Sequence, residues 1–177
     1  MNTSSEFVSK DLYDQFISKF PIVCTDAVIL NEDSSMTLQF LRTEEPLMGR
    51  YWGVGSRLFR EVDSCKDNMM QCIKRELNID ELQVILCRYI STIDARFAVN
   101  NIDSDKVVQM MMYIVVLPSD IIKSIEMGSD HSDCQWMEID DSRIHPVQKE
   151  IIDKYMSKNR YRYFNIVDDT GRFKYTN

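Results

Sequence analysis

The chain has 177 residues, of which 44% are hydrophobic and 28% are charged, a composition typical of one globular domain and too apolar for a disordered chain. The formal net charge of −7 argues against a broad phosphate-neutralising surface, so we expect no nucleic-acid partner. No stretch approaches the roughly 20 apolar residues of a membrane span, and the N-terminal residues lack the apolar run of a secretion signal, so we expect no membrane association and a cytoplasmic location.

The first predicted elements are a helix and a β-hairpin. The stretch "SKDLYDQFISKF" places Leu12, Phe16 and Phe20 at helical spacing behind a Ser9 cap, which predicts an amphipathic helix that ends before Pro21. The runs "IVCTDAVIL" and "MTLQFLRT", separated by the polar "NEDSS", predict two paired strands.

A glycine-bearing loop and a second helix follow. The segment "EEPLMGRYWGVGS" holds three of the five glycines, which predicts a loop whose backbone passes close to another group. "SCKDNMMQCIKREL" opens with Ser64 and Asp67 as a capping box and stops at Asn78, which tolerates a left-handed cap, so we predict a helix between them. Its apolar stripe consists of Cys65, Met69, Cys72 and Ile73.

The second half of the chain predicts three more strands and a last helix. "LQVILCRYISTI" and "KVVQMMMYIVVL" read as paired core strands, with Met110 to Met112 as core filler, and "CQWMEI" reads as a short strand. "HPVQKEIIDKYM" predicts a helix with Pro146 near its start and His145 as its cap. We expect the aromatic tail to add a strand or strap. The order of elements predicts an α/β (α+β) domain whose mixed sheet is covered by helices on both faces.

The five cysteines carry little functional information. Their number is odd, and they form neither a CxxC pair nor a zinc-ligand spacing, so the sequence predicts no disulfide framework and no structural zinc site. Because free cysteine is among the most buried residue types, we expect most of them to be small buried thiols.

One carboxylate at the end of the second helix is a candidate magnesium ligand. Glu76 lies four residues after Cys72 on the same helix face and offers hard oxygen ligands. One carboxylate alone holds magnesium poorly. The backbone carbonyls of Gly55 or Ser56, together with Asp130, are candidates to complete a partial shell that a substrate diphosphate would finish.

Three stretches, taken in order, resemble a known family. "FLRTEEPLMGRYWGVGSRL", the helix ending "KRELNI" and "SDHSDCQWM" are similar to Nudix hydrolases, specifically to the GDP-mannose mannosyl hydrolase branch, over about Asp11 to Lys154. The resemblance implies a Nudix α/β/α sandwich with a mixed β-sheet, magnesium or manganese as cofactor, and a homodimer. We expect a single Nudix-like domain over 1–177, with 1–20 an N-terminal helical segment and 158–177 a C-terminal extension.

The resemblance also implies roles for particular residues. Glu76 is similar to the retained metal-binding glutamate of the Nudix helix, and Asp130 stands where that branch carries a metal-contacting side chain. His131 stands at its general-base histidine, which neighbouring Asp133 is a candidate to orient. Arg57 resembles the arginine that faces the departing diphosphate. For each, the alternative is a solvated surface charge without a ligand.

Three further residues resemble substrate-binding positions. Asp26 and Arg42 fall on strand positions that line the nucleotide-sugar pocket of that branch. Asp11 is placed to reach the ligand from the first helix.

The chain departs from the family's catalytic box. Alignment on Glu76 places Gln71 and Cys72 at its Arg-Glu, Arg75 at the first of its paired glutamates and Asn78 at its glycine. Attack at phosphorus depends on several of these glutamates, whereas attack at sugar C1 needs a neutralised diphosphate and a separate base. We therefore expect hydrolysis of a nucleoside-diphosphate sugar such as GDP-mannose at C1. The alternatives are a non-catalytic Nudix-like module that binds a nucleotide sugar or a protein and, third, a Nudix pyrophosphohydrolase.

Overall fold

A seven-stranded mixed β-sheet forms the centre of the fold. The computed structural model describes residues 9–17, 19–44, 47–59, 61–96, 107–118, 121, 131–157, 166–167 and 173–174. In chain order the elements are α1 (Lys10–Ile17), β1 (Ile22–Asn31), β2 (Met36–Arg42), β3 (Tyr51–Trp52), β4 (Val54–Arg57), α2 (Cys65–Leu77), a 3-10 turn (Glu81–Gln83), β5 (Leu86–Arg96), β6 (Val107–Leu117), β7 (His131–Glu138), α3 (Pro146–Met156), β8 (Ile166–Val167) and β9 (Phe173–Lys174).

Strand β1 lies at the middle of the sheet. It pairs in parallel with β6 along its whole length, and on its other side it pairs antiparallel with β2 and β4. The sheet order is β3-β2-β1-β6-β5, with β7 added to β2. A strand paired on both sides and covered on both faces reads as a continuous apolar run, as β1 does in "AVIL". The predicted pairing of β1 with β2 and of β5 with β6 is confirmed.

Two core layers cover the two faces of the sheet. Ala27 and Ile29 pack on one face in the same cluster as Ile73 of α2. Val28 and Leu30, which alternate with them along β1, pack on the other face in the same cluster as α3. The predicted fold class, a mixed sheet with helices on both faces, is confirmed.

The caps of α2 are those that the sequence predicts. The hydroxyl oxygen of Ser64 accepts a hydrogen bond from the backbone N–H of Asp67 at 3.1 Å. Asn78 ends the helix with φ of 55°, in the left-handed region, and its N–H donates to the carbonyl of Lys74. Met69, Cys72 and Ile73 of the predicted stripe are buried, and Cys65 is half-buried against the same core.

The segment predicted as a loop before α2 contains two short strands, β3 and β4. These strands have only two and four residues and are interrupted by glycine, so the sequence pattern does not predict them as strands. The expected close approach of its backbone is present. A Cβ at Gly53 would lie 1.8 Å from the carbonyl oxygen of Ala27.

The cysteines differ from the expectation that most are buried. Only Cys72 is fully buried, and the other four are half-buried at the margins of the two core layers. All five are free thiols, in agreement with the predicted absence of a disulfide framework. The methionine run behaves as predicted, because Met110 and Met112 are buried in the core.

The two ends of the chain carry smaller elements. The predicted first helix is present as α1, but Leu12 and Phe16 are more than half exposed, so its apolar face is not covered by the described part of the chain. Strands β8 and β9 pair with each other near the C terminus. The predicted boundaries at 1–20 and 158–177 stay predictions, because much of both segments lies outside the described residues. Among the helices that the structure describes, none is long and apolar enough to cross a membrane.

We predict that Gly53→Ala destabilises the fold far more than Gly49→Ala. The new methyl group at Gly53 would overlap the β1 backbone, which cannot move aside, whereas a Cβ at Gly49 meets nothing within 4 Å and suffers only from its φ of +73°. We expect a loss of about 3 kcal/mol or more for Gly53→Ala and about 1 kcal/mol for Gly49→Ala in urea unfolding. Equal losses in the two variants would contradict the close approach of β4 to β1.

Candidate functional site

A cleft of about 300 Å³ lies beside the first half of β1, on the face of the sheet that α3 covers. Five residues that the sequence singles out line it: Asp26, Arg42, Gly55, Ser56 and Arg57. Their roles as ligands stay predictions, but the fold brings them to one place.

Strand register explains why these residues meet. Asp26 lies opposite Gly55 and Cys24 lies opposite Arg57 in the antiparallel pair of β1 and β4. Side chains at alternate positions of a strand share a face, so Cys24 and Asp26 both point into the cleft with Ile22. On the other side, Val108 and Met110 of β6 provide an apolar wall in register with Ile22 and Cys24.

Asp26 is a buried carboxyl at the base of this cleft, only 8% exposed. Its Oδ1 accepts a hydrogen bond from Nε1 of Trp52 at 3.0 Å. A Cβ at Gly55 would lie 2.4 Å from the same oxygen, so only glycine leaves room for this carboxyl. Burial raises the pKa of Asp26 to about 6, and the Trp52 hydrogen bond and the charge of Arg42 partly oppose that rise.

Two arginines, Arg42 and Arg57, line the cleft together with two acidic residues, Asp26 and Glu44. Arg42 ends β2 and Arg57 ends β4, and both line the cavity that holds Asp26. Burial raises the pKa of the Cys24 thiol to about 12; Asp26 raises it further and Arg57 opposes the rise, so both charged groups lie near this thiol. Guanidinium groups bind phosphate oxygens with paired hydrogen bonds, so the arrangement suits a diphosphate.

Sequence reasoning missed two residues that build the site. Trp52, the hydrogen-bond donor to Asp26, stood in a segment read as a loop. Asn68 is buried in α2, where its Nδ2 donates to Oγ1 of Thr25 at 2.7 Å and to the carbonyl of Arg57 at 3.1 Å. Its Oδ1 accepts from the N–H of Phe59 at 3.2 Å, so one side chain ties the end of β4 to the helix. An asparagine beside the apolar stripe was the available signal, since a buried amide needs partners.

Glu76, the candidate metal ligand, has a partner within the chain. Its carboxylate is 12% exposed, and Nε and Nη2 of Arg75 both lie 2.7 Å from Oε1. It does not line the cleft. Burial raises the pKa of the neighbouring Cys72 thiol to about 12, Arg75 opposes that rise, and Glu76 and Asp26 add to it.

The acid-histidine pair is only partly described. Strand β7 begins at His131, whose backbone pairs with Arg42, so its main chain lies next to a residue of the cleft. The side chain of His131 and the whole of Asp130 lie outside the described residues. Asp133 accepts hydrogen bonds from Gln135 and Tyr51, which lower its pKa, so its carboxylate faces Tyr51. Asp11 is exposed on α1 and is not among the residues that line the cleft.

The described donors do not fit a resident divalent ion. In the part of the chain that the structure describes, no group of three or more His, Cys, Asp or Glu side chains is close enough to hold a metal. Glu76 is held by Arg75, and Asp26 is held by Trp52. The described part of the cleft therefore combines the guanidinium groups of Arg42 and Arg57 with the carboxyl groups of Asp26 and Glu44.

Comparison with known proteins identifies the fold. No protein-family model matches the sequence, and no curated protein matches it. Solved structures do match. The NUDIX domain of Shewanella oneidensis NrtR, complexed with ADP ribose, superposes with a TM-score of 0.59 at 13% identity, over 85% of this chain and 100% of that one.

Two further solved structures give the same result. A Caenorhabditis elegans Ap4A hydrolase binary complex matches with a TM-score of 0.58 at 12% identity, over 76% of this chain and 94% of that one. The Escherichia coli dihydroneopterin triphosphate pyrophosphohydrolase matches with a TM-score of 0.58 at 14% identity, over 75% and 93%. The chain therefore has the Nudix fold.

Proposed function

We propose that this chain is a hydrolase that cleaves a nucleoside-diphosphate sugar, such as GDP-mannose or GDP-glucose, into the nucleoside diphosphate and the free sugar. The observation that carries the proposal is the cleft itself, in which Arg42 and Arg57 flank the buried carboxyl of Asp26. The likeness to proteins named for ADP ribose, Ap4A and dihydroneopterin triphosphate supports a diphosphate-linked substrate on this fold.

The two arginines act on the leaving group. In C1 hydrolysis the bond between C1 and the phosphate oxygen breaks, and the diphosphate leaves with the electron pair. Negative charge therefore grows on that oxygen in the transition state, and a guanidinium already in place stabilises it. Arg57 takes this role as the resemblance implies, and Arg42 holds the diphosphate from the neighbouring strand.

A base on the opposite face of the sugar completes the reaction. The oxygen of water forms the new bond to C1 while a proton passes from the water to the base, which gives inversion at C1. We assign this role to His131, because imidazole titrates near neutrality and because its backbone lies beside Arg42. Asp133 faces Tyr51, so no orienting role is assigned to it.

The burial of Asp26 supports a role for this residue in binding, because a buried carboxylate destabilises the fold. A carboxyl at 8% exposure with one indole N–H as its described donor is unfavourable when ionised, and an apolar residue would fill the same space without that penalty. A sugar or ribose hydroxyl that donates to Asp26 would satisfy the carboxylate and explain its presence in the cleft.

A second candidate function rests on the pairing of Arg75 with Glu76. Nudix hydrolases generally use divalent ions such as magnesium, and an arginine that neutralises the one retained box glutamate favours a module that binds nucleotide sugars without turnover. Pyrophosphate cleavage ranks third, because attack at phosphorus relies on the box glutamates that Gln71, Cys72 and Arg75 replace.

The first prediction concerns products. With magnesium and a panel of nucleotide sugars, we expect phosphorus and proton NMR to show nucleoside diphosphate and free sugar. His131→Gln should lower turnover by about 10²-fold or more, the usual contribution of a general base, while ligand affinity stays nearly unchanged. Nucleoside monophosphate and sugar phosphate would indicate attack at phosphorus. Binding without turnover would indicate the non-catalytic module, and unchanged turnover in His131→Gln would remove this residue from the mechanism.

The second prediction concerns magnesium. If magnesium entered with the diphosphate, Glu76 would be free to bind it only after Arg75 released its carboxylate. We expect Arg75→Gln to lower the magnesium concentration for half-maximal turnover and Glu76→Gln to raise it. Lys74→Gln, one position away and paired with Asp80 instead, is the matched control. Identical magnesium titrations for all four proteins would exclude Glu76 as a ligand.

The third prediction concerns pH. The folded pKa of Asp26, about 6, lies above the ordinary value of 3.8, so the folded state binds the proton more tightly than the unfolded state. The stability that this proton contributes is present below about pH 4 and is lost as pH rises through 6. Relative to Asp26→Asn, the unfolding free energy of the natural chain should fall by about 2 kcal/mol between pH 4 and pH 7, measured by urea unfolding. Parallel pH profiles would contradict it.

A further inference from the structure

A second cavity adjoins the cleft. It measures about 460 Å³ and lies between the turn before β3 and the turn before α3. Leu47 lines both cavities, so the two spaces are neighbours on either side of this residue. Trp52 stands between them as well, because its indole N–H reaches Asp26 in the cleft while its ring packs edge-on against His145 of the second cavity, with 5.1 Å between ring centroids.

The lining of this second cavity is basic in an acidic protein. Arg50 and Arg143 both line it, and none of its described lining residues is acidic, although the chain carries a net charge of −7. Arg143 is already engaged, because its guanidinium donates to both carboxylate oxygens of Asp141 and to Oε1 of Gln135. It also lies over the ring of Tyr51 at 5.7 Å.

Arg50 is different from Arg143. Its backbone N–H and carbonyl make turn hydrogen bonds with Leu47 and Arg42. Within the described residues its guanidinium has no hydrogen-bond or ion-pair partner, so its charge is available to a ligand. Burial lowers the pKa of the neighbouring His145 imidazole, and the positive charge of Arg50 lowers it further.

The histidine adds a neutral donor. Nδ1 of His145 accepts the backbone N–H of Val147 at 3.2 Å, which caps α3. A neutral imidazole with an accepting Nδ1 carries its hydrogen on Nε2, so this ring offers one N–H donor. The hydroxyl of Ser142 completes a lining of donors around Arg50.

We propose that this second cavity binds a carboxylate carried by the sugar, so that the substrates are nucleoside-diphosphate sugars of the uronic acid class. The inference rests on the proposed function, because the cleft arginines must hold the diphosphate for the sugar to reach the adjoining space. Arg50 is exposed to solvent, and a carboxylate on the sugar would give its guanidinium a counter-charge that an uncharged sugar lacks. A planar carboxylate matches its paired N–H donors.

The test compares ligands that differ only at sugar C6. Calorimetry is used to measure the affinity of the full chain for UDP-glucose against UDP-glucuronate and for GDP-mannose against GDP-mannuronate. We expect the acid of the preferred base to bind roughly tenfold more tightly, the effect of one charge-assisted hydrogen bond. Arg50→Gln should bring the ratio of the two affinities, acid over neutral sugar, close to one. Arg50→Lys keeps the charge but loses the paired N–H donors of the guanidinium, so it should keep part of the preference.

Arg88→Gln is the matched control, because Arg88 is exposed on β5 and lines neither cavity. It should keep the ratio of the natural chain. Equal affinity for acid and neutral sugar, a preference that survives Arg50→Gln, or a preference equally lost in Arg88→Gln would each overturn the inference while leaving the proposed function standing. Failure of all four ligands to bind would count against the proposed function itself, and the inference would fall with it.

Discussion

The close approach of β4 to β1 is the constraint on which the site depends. Two glycines permit it: Gly53 lies against the carbonyl of Ala27, and Gly55 lies against the carboxyl of Asp26. A side chain at Gly53 would overlap the β1 backbone, and one at Gly55 would force the carboxyl group of Asp26 to move. The pairing carries Ser56 and Arg57 over the first half of β1 and so places a cation beside a buried acid. Asn68 then holds the end of β4 to α2 through three hydrogen bonds.

The site keeps polar groups where an apolar core would be more stable. Asp26 is nearly buried, and its indole partner Trp52 belongs to the core cluster on the α3 face. Burial of such a carboxyl lowers the unfolding free energy at neutral pH, and proteins keep costs of this kind mainly at functional sites. The same tryptophan contacts His145, so the cleft and the second cavity share one rigid wall, and a ligand that spans both would meet preformed surfaces on each side.

A polar network fixes the strand from which the proposed base projects. Hydrogen bonds join four side chains of this network: Tyr51 of β3, Asp133 and Gln135 of β7, and Arg143 before α3. These contacts tie the start of β7 to the two turns that line the second cavity. The proposed cleavage at sugar C1 rests on the two guanidinium groups of the cleft, which would stabilise a departing diphosphate, and on the pairing of Glu76 with Arg75.

Local patterns were enough to predict α2 with both caps, the two hairpin pairings, the core methionines and the mixed sheet, because hydrophobic period and capping chemistry act over a few neighbouring residues. The family resemblance selected Asp26, Arg42 and Arg57, and the glycine-bearing loop supplied Gly55 and Ser56. Other features depended on which strands and side chains meet in the fold. These are the pairing of β4 with β1, the hydrogen bond from the Trp52 indole, the contacts of the Asn68 amide and the ion pair between Arg75 and Glu76. Sequence alone determined which residues could take part in binding; the tertiary structure decided which of them share a cavity, because register and burial are set by contacts between residues far apart in the chain.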